Sequence, residues 1–165
     1  MKMKALLVLI LLVTIHGTFA QDKRLKRIDA VRSLVDSKNF VFEANRASPL
    51  GLPSLSVVRI ENYVRIQKDS ALGFLPYFGE MRLGGGYGEG GAIEFDSEIR
   101  DYKVKTKKNG KGIIVMFNTK KSDEQFNFTL FITKSRTATV VVQSLHRNSI
   151  TYYGQIRPLD ESSLE

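Results

Sequence analysis

The sequence predicts an α+β domain that is mostly β, in which an N-terminal helix packs on a curled antiparallel meander of about seven to nine strands. Three observations predict it: one apolar stripe of helical period near the start, a period-two alternation from Asn39 onward, and short polar turns between the alternating runs. The chain has 165 residues, 42% hydrophobic and 25% charged, which indicates a single globular domain rather than a disordered chain.

The first twenty residues have the pattern of a secretory signal peptide. Lys2 and Lys4 precede an apolar run from Ala5 to Ile15, and small residues Thr18 and Ala20 flank Phe19 ahead of the expected cut. The apolar run is shorter than the roughly 20 residues that a membrane-spanning helix needs. We therefore expect cleavage after Ala20 and no transmembrane span in the mature chain.

The predicted organisation has three parts. Residues 1–20 are the cleaved signal peptide, residues 21–157 form a single β-rich domain, and residues 158–165 form a flexible acidic tail. The sequence contains no cysteine, so disulfides do not stabilise the domain. Export without disulfides fits a bacterial envelope protein better than a small extracellular module.

The predicted helix covers residues 22–37. Its apolar stripe recurs at steps of three and four residues and consists of Leu25, Ile28, Val31, Leu34 and Val35. The basic residues lie largely off this stripe, so the helix resembles those that lie on anionic membranes. We favour packing against the sheet, because the stripe lacks the bulky aromatic residues of interfacial helices.

The strands are predicted from alternation and from turn residues. Asn109-Gly110 between two alternating runs is a strong hairpin signal, because both central residues of a type I′ turn need positive φ. Residues 98–156 therefore predict a meander of about five strands, and residues 39–80 add about three more. The segment 48–53 predicts a loop.

A glycine-rich segment at 81–91 resembles a nucleotide-binding loop. Residues 86–91 match G-x-G-x-x-G, but the strand-like sequence of Ala92–Phe95 follows where a dinucleotide site needs a helix. No Gly-Lys-Ser/Thr follows either, which excludes a P-loop. We interpret the segment as a linker between strands, with a lid as the alternative.

Few residues of this chain suit catalysis or metal binding. His146 is the single histidine after the leader, and no cysteine or paired histidine offers a zinc or iron site. Glu94, Asp96 and Glu98 share a strand face and suit Ca²⁺ or glycoside hydrolysis. The favoured alternative is cross-strand ion pairing with the lysines at 103–107. We therefore predict no catalytic residue, no metal ligand and no cofactor.

A positive patch is the clearest electrostatic feature. Seven lysines and no acidic residue lie between Tyr102 and Ser122, within a chain of net charge +8. The candidate partner surface comprises Lys103, Lys105, Lys107, Tyr77, Phe78 and Tyr87. An anionic envelope glycan, a lipid headgroup or another envelope protein is the expected partner, and nucleic acid is not expected. One alternative is that the lysines only prevent edge-to-edge aggregation of the sheet. A second alternative is that Phe74 and Phe78 are core residues and that the neighbouring tyrosines expose their hydroxyls to solvent.

Several segments together resemble a known family. They are Ser37–Asn45, Leu75–Gly79, the glycine loop, Gly91–Phe95, Asp101–Val104 and Asn148–Gly154. In this order they are similar to domain of unknown function 4251, a family of exported proteins from Bacteroidota, over about residues 25–157. The resemblance implies a signal peptide, one β-rich domain, a location in the periplasm or on the extracellular side of a Gram-negative bacterium, and no assigned activity.

Three functions follow as hypotheses for this uncharacterised exported protein. The first is a non-catalytic binding or interaction module of the envelope. The second is a carboxylate-dependent hydrolase that uses Glu94 and Asp96 under a glycine-rich lid. The third is a structural subunit of an envelope assembly, which a sizeable exposed apolar patch would favour.

Overall fold

The computed structural model describes residues 26–82, 91–107 and 110–159. Helix α1 spans 26–36, and the strands follow in chain order as β1 Asn39–Pro49, β2 Leu55–Ser56, β3 Tyr63–Gln67, β4 Ser70–Pro76, β5 Ala92–Glu98, β6 Arg100–Thr106, β7 Gly112–Lys121, β8 Glu124–Thr133, β9 Thr137–Gln143 and β10 Ile150–Pro158. In this part of the chain, no helix has the length and apolar character needed to cross a membrane.

All strands belong to one antiparallel sheet. Its order is β5-β4-β3-β1-β10-β9-β8-β7-β6, with the two-residue β2 paired to β1. The five consecutive strands β6 to β10 form the predicted meander, and the sequence-adjacent β3, β4 and β5 form a second one. The last strand, β10, pairs with the first strand, β1, so these two strands lie at the middle of the sheet.

The sheet curls until its two edges approach each other. β5 packs against β7, where the backbone amide of Lys120 donates to the Ser97 hydroxyl at 3.3 Å. Inside this seam the Phe95 ring lies 5.1 Å from the Phe128 ring, centroid to centroid. Side chains, rather than a continuous backbone ladder, therefore complete a nearly closed barrel.

Helix α1 packs at one end of this barrel. Its stripe residues Ile28, Val31 and Val35 are buried in the core, and the Tyr102 hydroxyl of β6 donates to the Val35 carbonyl oxygen at 2.6 Å. We call this end, which also carries the β3–β4 and β8–β9 turns, the helix end. The loop end is the opposite one, with connections 50–62, 77–91, 122–123 and 144–149.

The predicted fold class is confirmed: the protein is mostly β, with an N-terminal helix on an antiparallel sheet. In the described part of the chain the sheet has ten strands rather than the predicted seven to nine, and one of them is the short β2, which pairs with β1. β1 extends to Pro49, so the segment 48–53 predicted as a loop begins within this strand. β10 extends to Pro158 and Leu159 is buried, so the sheet reaches into the segment predicted as a tail. The predicted leader, Tyr87 and residues 160–165 lie outside the described residues.

Candidate functional site

The interior of the barrel is filled by side chains. The largest fully buried ones are aromatic and aliphatic, and they include Phe40, Phe42, Phe117, Phe126, Phe128, Leu130 and Tyr152. The Tyr152 hydroxyl donates to the Pro76 carbonyl oxygen at 2.8 Å, so even this buried polar group has a partner. Among the described residues, large side chains therefore occupy the interior of the barrel.

The outside of β6 to β10 and β1 carries two continuous rows of side chains, which we call the outer wall. Row A consists of Lys105, Ile114, Phe131, Thr139, Tyr153 and Arg46, each directly opposite the next on neighbouring strands. Row B consists of Lys103, Met116, Thr129, Val141, Thr151 and Ser48. All twelve side chains are half-buried or exposed. This is expected on the solvent-facing side of a sheet, where neighbouring side chains partly shield one another from water.

The charge of the outer wall is positive. Neither row contains an acidic residue, and Lys103 and Lys105 are exposed at the β6 edge. Just beyond this edge, the ammonium of Lys107 lies 5.2 Å from the centre of the Phe131 ring. At the opposite side of the wall, the guanidinium of Arg46 lies 4.3 Å from the centre of the Tyr153 ring. Two cations are thus held against aromatic rings on this face.

The wall is bordered by a hollow at the loop end. The hollow has a volume of 600 Å³ and is lined by the hydroxyl residues Ser48, Ser149 and Thr151, together with Leu50 and Leu52. Ser48 and Thr151 are the last two members of row B. Row B therefore leads directly into a concave surface with both hydroxyl and aliphatic groups.

Five of the six residues predicted as a partner surface are among the described residues, and these five occupy two regions. Lys103, Lys105 and Lys107 lie on and just after β6, whereas Tyr77 and Phe78 follow β4 at the loop end. Tyr77 is buried, and Phe78 is a half-buried residue packed on the core. The lysines therefore belong to the outer wall, and the aromatic pair belongs to the packing of the loop end.

We expected Phe74 and Phe78 to be buried and the hydroxyls of the neighbouring tyrosines to be exposed to solvent. For the Tyr77 hydroxyl this expectation is wrong. This hydroxyl lies 2.8 Å from the Glu80 carbonyl oxygen and 3.0 Å from that of Asn148, while both phenylalanines remain partly exposed. Burial raises the pKa of Tyr77, and the nearby Arg147 guanidinium partly offsets this increase. Tyr77 joins the β4–β5 and β9–β10 connections.

A largely buried ion pair also connects segments at the loop end. The Arg147 Nε donates to both carboxylate oxygens of Glu124, at 3.0 and 3.1 Å, and the Ser144 hydroxyl donates to the same carboxylate at 2.5 Å. The Arg147 guanidinium also lies 5.2 Å from the centre of the Tyr77 ring. Sequence reasoning missed this cluster, because its members lie far apart in the chain and no spacing rule connects them.

The carboxylates considered for hydrolysis are exposed to solvent. Glu94, Asp96 and Glu98 are all exposed on one face of β5, and Glu94 pairs with Lys121 at 2.9 Å. Glu94 and Asp96 line open surface hollows, one of which, of 340 Å³, is shared by Glu94 and His146. Within the described ranges, no three histidine, aspartate or glutamate residues are placed to hold a metal ion.

The predicted ion pairing between these carboxylates and the lysines at 103–107 is wrong. β5 pairs with β4, so Phe74 and Leu72 lie opposite Glu94 and Asp96. Ile99 alone separates β5 from β6, and Asp101 adopts a φ of 55°, which bends the chain so that β6 pairs with β7. The two strands therefore form opposite edges of the sheet instead of a hairpin.

The comparisons with known proteins agree with this architecture. Residues 22–156 match the family described as Domain of unknown function (DUF4251). The crystal structure of a DUF4251 family protein from Bacteroides eggerthii DSM 20697 is similar with a TM-score of 0.61 and 22% identity, over 84% of this chain and 91% of that chain. At this identity the likeness concerns the fold. No curated protein matches the chain. Since the family match spans most of its length, this chain belongs to the DUF4251 family.

Proposed function

We propose that this protein is a non-catalytic binding module that holds an anionic ligand on its outer wall. The observation that carries the proposal is the pair of cross-strand rows that lack acidic residues and begin at Lys103 and Lys105. Rows that contain cations and no acidic residue attract polyanions over several ångströms, and the attraction weakens as the salt concentration increases.

Two further observations favour binding over catalysis. The core is filled by large side chains, so substrates have no access to the barrel interior. The acidic residues Glu94 and Asp96 are exposed, whereas a carboxylate pair that acts in hydrolysis needs a closed concave site.

We place this binding in the envelope of a Gram-negative bacterium, after export to the periplasm or the extracellular side. The support is the signal-peptide pattern of residues 1–20, together with the Bacteroides source of the similar structure. Fractionation of the native organism, with detection of the processed N-terminus at Gln21, tests this location. Recovery of an unprocessed chain in the cytoplasm would contradict it.

Salt-dependent retention on a poly-L-glutamate column tests the anion-binding face. The substitutions Lys103→Gln, Lys105→Gln and Lys107→Gln together should lower the eluting salt concentration at least twofold. The matched control is Arg27→Gln, Arg59→Gln and Lys68→Gln, which removes the same charge from exposed positions outside the rows. The control should elute close to the unmodified protein. Equal losses in both variants would show that net charge alone causes retention and would reject the site.

A second candidate function is that of a subunit in an envelope assembly. Aliphatic side chains are unusually exposed on two connections, 50–62 and 144–149, including Leu50 at 61%, Val58 at 68% and Leu145 at 83%. Exposed apolar groups close together mark interaction surfaces. Chemical crosslinking of envelope extracts tests this candidate: a crosslinked partner that is lost with Leu50→Ser and Val58→Ser supports it, and unchanged crosslinking removes it.

A further inference from the structure

We infer that the ligand of the outer wall is a linear acidic polysaccharide with one charge per disaccharide, lying across the strands along rows A and B. The inference rests on the proposed anion-binding function and adds the chemical class of the ligand. It depends on three properties of the wall: the spacing of its cations, the groups between them, and its length.

The cations are too sparse for a densely charged polymer. Four of them, Lys103, Lys105, Lys107 and Arg46, serve a face that extends over five inter-strand spacings, about 24 Å. Duplex DNA carries a charge about every 1.7 Å along its axis, so most of its phosphates would meet no cation on this face. A polymer with widely spaced charges fits this number of cations.

The two cations held on aromatic rings set a definite interval. Lys107 lies on Phe131 of β8, and Arg46 lies on Tyr153 of β10, so the two rings are two strand spacings apart, about 10 Å. Two sugar rings joined in an extended chain have a similar length. The interval therefore suits a polysaccharide in which every second sugar carries a carboxylate.

The groups between the cations suit sugars. Thr129, Thr139 and Thr151 each offer one hydroxyl donor and two acceptor lone pairs at the surface, which complement sugar hydroxyls. Ile114 and Met116 lie beside them and offer apolar surface for the C–H face of a sugar ring. Row B then ends at the 600 Å³ hollow with Ser149, which gives the chain a place to continue.

An anionic membrane is the competing ligand, and the wall fits it less well. Peripheral membrane binding inserts protruding apolar side chains below the headgroups. The aliphatic members of the wall, Ile114, Met116 and Val141, are half-buried between their neighbours and do not protrude. The protruding aliphatics lie on the connections at 50–62 and 144–149, and two of them, Leu50 and Leu52, line the hollow at the end of row B. They are therefore at the opposite side of the wall from the lysines of β6.

Calorimetric titration with hyaluronan oligosaccharides, which carry one carboxylate per disaccharide, tests the inference. Affinity should increase with length up to about five sugars, the length of the wall, and then level off. Uncharged dextran oligosaccharides should bind at least tenfold more weakly. Neutral and charged oligosaccharides binding equally, or no binding of hyaluronan at any length, would overturn the inference.

Tyr153→Ala should weaken hyaluronan binding at least fivefold, because it removes the ring that holds Arg46, and Tyr153→Phe should retain binding. The matched control is Tyr63→Ala on β3, which removes a similar pair with Arg65 at 5.7 Å outside the wall. Equal effects of the two alanine variants would also overturn the inference.

The failure of this inference is distinguishable from that of the proposed function. Lysine-dependent retention on poly-L-glutamate without hyaluronan binding supports the anion-binding face and rejects the polysaccharide as its ligand. Sedimentation with phosphatidylglycerol vesicles that depends on the three lysines, without hyaluronan binding, identifies a lipid headgroup instead and also rejects it. Loss of retention equal to that of the control triple variant rejects the proposed function itself.

Discussion

The Arg147 guanidinium and the Glu124 carboxylate form an ion pair whose side chains are only 14% and 12% exposed. This pair joins the start of β8 to the β9–β10 connection, and Arg147 Nη1 also donates to the Ala92 carbonyl oxygen at 3.3 Å. Three separate parts of the chain therefore meet at one charged contact. Removal of one partner leaves a covered charge without compensation, which is more costly than the pair is worth in isolation.

Glu124→Gln should lower the free energy of unfolding by about 3 kcal/mol, because it removes the carboxylate charge that compensates the covered Arg147 guanidinium. Urea unfolding followed by circular dichroism measures this loss. Glu43→Gln, in the exposed pair with Arg157, is the matched control and should change stability by less than about 1 kcal/mol. Equal losses for the two glutamine variants would show that the covered pair has no special role.

The double substitution Glu124→Gln with Arg147→Met should be less destabilising than the sum of the two single substitutions. With both charges absent, neither partner is left covered without its counterion, and methionine preserves part of the apolar stem. A double-mutant cycle in urea measures the coupling energy. Additive losses would contradict a direct energetic link between the two side chains.

Alkaline pH should destabilise the protein through its buried tyrosines. Burial raises the pKa of Tyr152 above the ordinary value of 10.0, and burial likewise raises the pKa of Tyr102. Above pH 10 the unfolded chain releases these phenol protons while the folded chain keeps them. Their stabilisation is thus complete below pH 10 and decreases as pH increases, by up to about 1.4 kcal/mol per pH unit for each tyrosine.

Tyr152→Phe isolates one of these groups. It removes the hydrogen bond to Pro76 and should cost about 1 kcal/mol at pH 8, where no tyrosine ionises. Between pH 10 and 11 its unfolding free energy should decrease less steeply than that of the unmodified protein, because Tyr152 no longer titrates. Urea titrations at pH 8, 9, 10 and 11 compare the two slopes, and identical slopes would contradict the assignment.

The sequence was sufficient to predict the helix, the meander and the alternating faces, because local periodicity encodes these features. The stripe of Val31 and Val35 and the inward phase of β7 appear as expected in the core. It was not sufficient to predict which strands meet across the seam. The β5–β6 connection at Ile99 looks like a hairpin turn in sequence, and only tertiary packing makes the two strands opposite edges.

The candidate surface was predictable in part for the same reason. Lys103, Lys105 and Lys107 stand out as an acid-free run, and the structure places them beside the outer wall. The remainder of rows A and B needs the pairing register of six strands, which no single segment specifies. Tyr153 and Arg46 are more than one hundred positions apart and meet only because β10 returns beside β1.

Gly154→Ala should destabilise the protein by about 2 kcal/mol or more, because the added methyl group has no space. Its Cβ would collide with the Glu43 carbonyl oxygen and lie 2.8 Å from the Ala44 Cα, at the bulge where β1 and β10 shift register. Gln155→Ala, at the adjacent exposed position, should change stability by less than about 0.5 kcal/mol. Thermal denaturation compares the two, and similar melting temperatures would refute the close backbone contact.

Phe95 should contribute more to closure of the barrel than the ion pair beside it. Its ring lies 5.1 Å from Phe128 and 6.3 Å from Phe126, and it is buried, whereas the Glu94–Lys121 pair is about half exposed. Phe95→Ala should cost about 3 to 5 kcal/mol, because it leaves a cavity where β5 meets β7 and β8. Glu94→Gln should cost less than about 1 kcal/mol, since exposed pairs contribute little. Hydrogen exchange of the β5 amides should accelerate in Phe95→Ala and not in Glu94→Gln. The reverse order of effects would mean that charge, and not the aromatic cluster, holds the two edges of the sheet together.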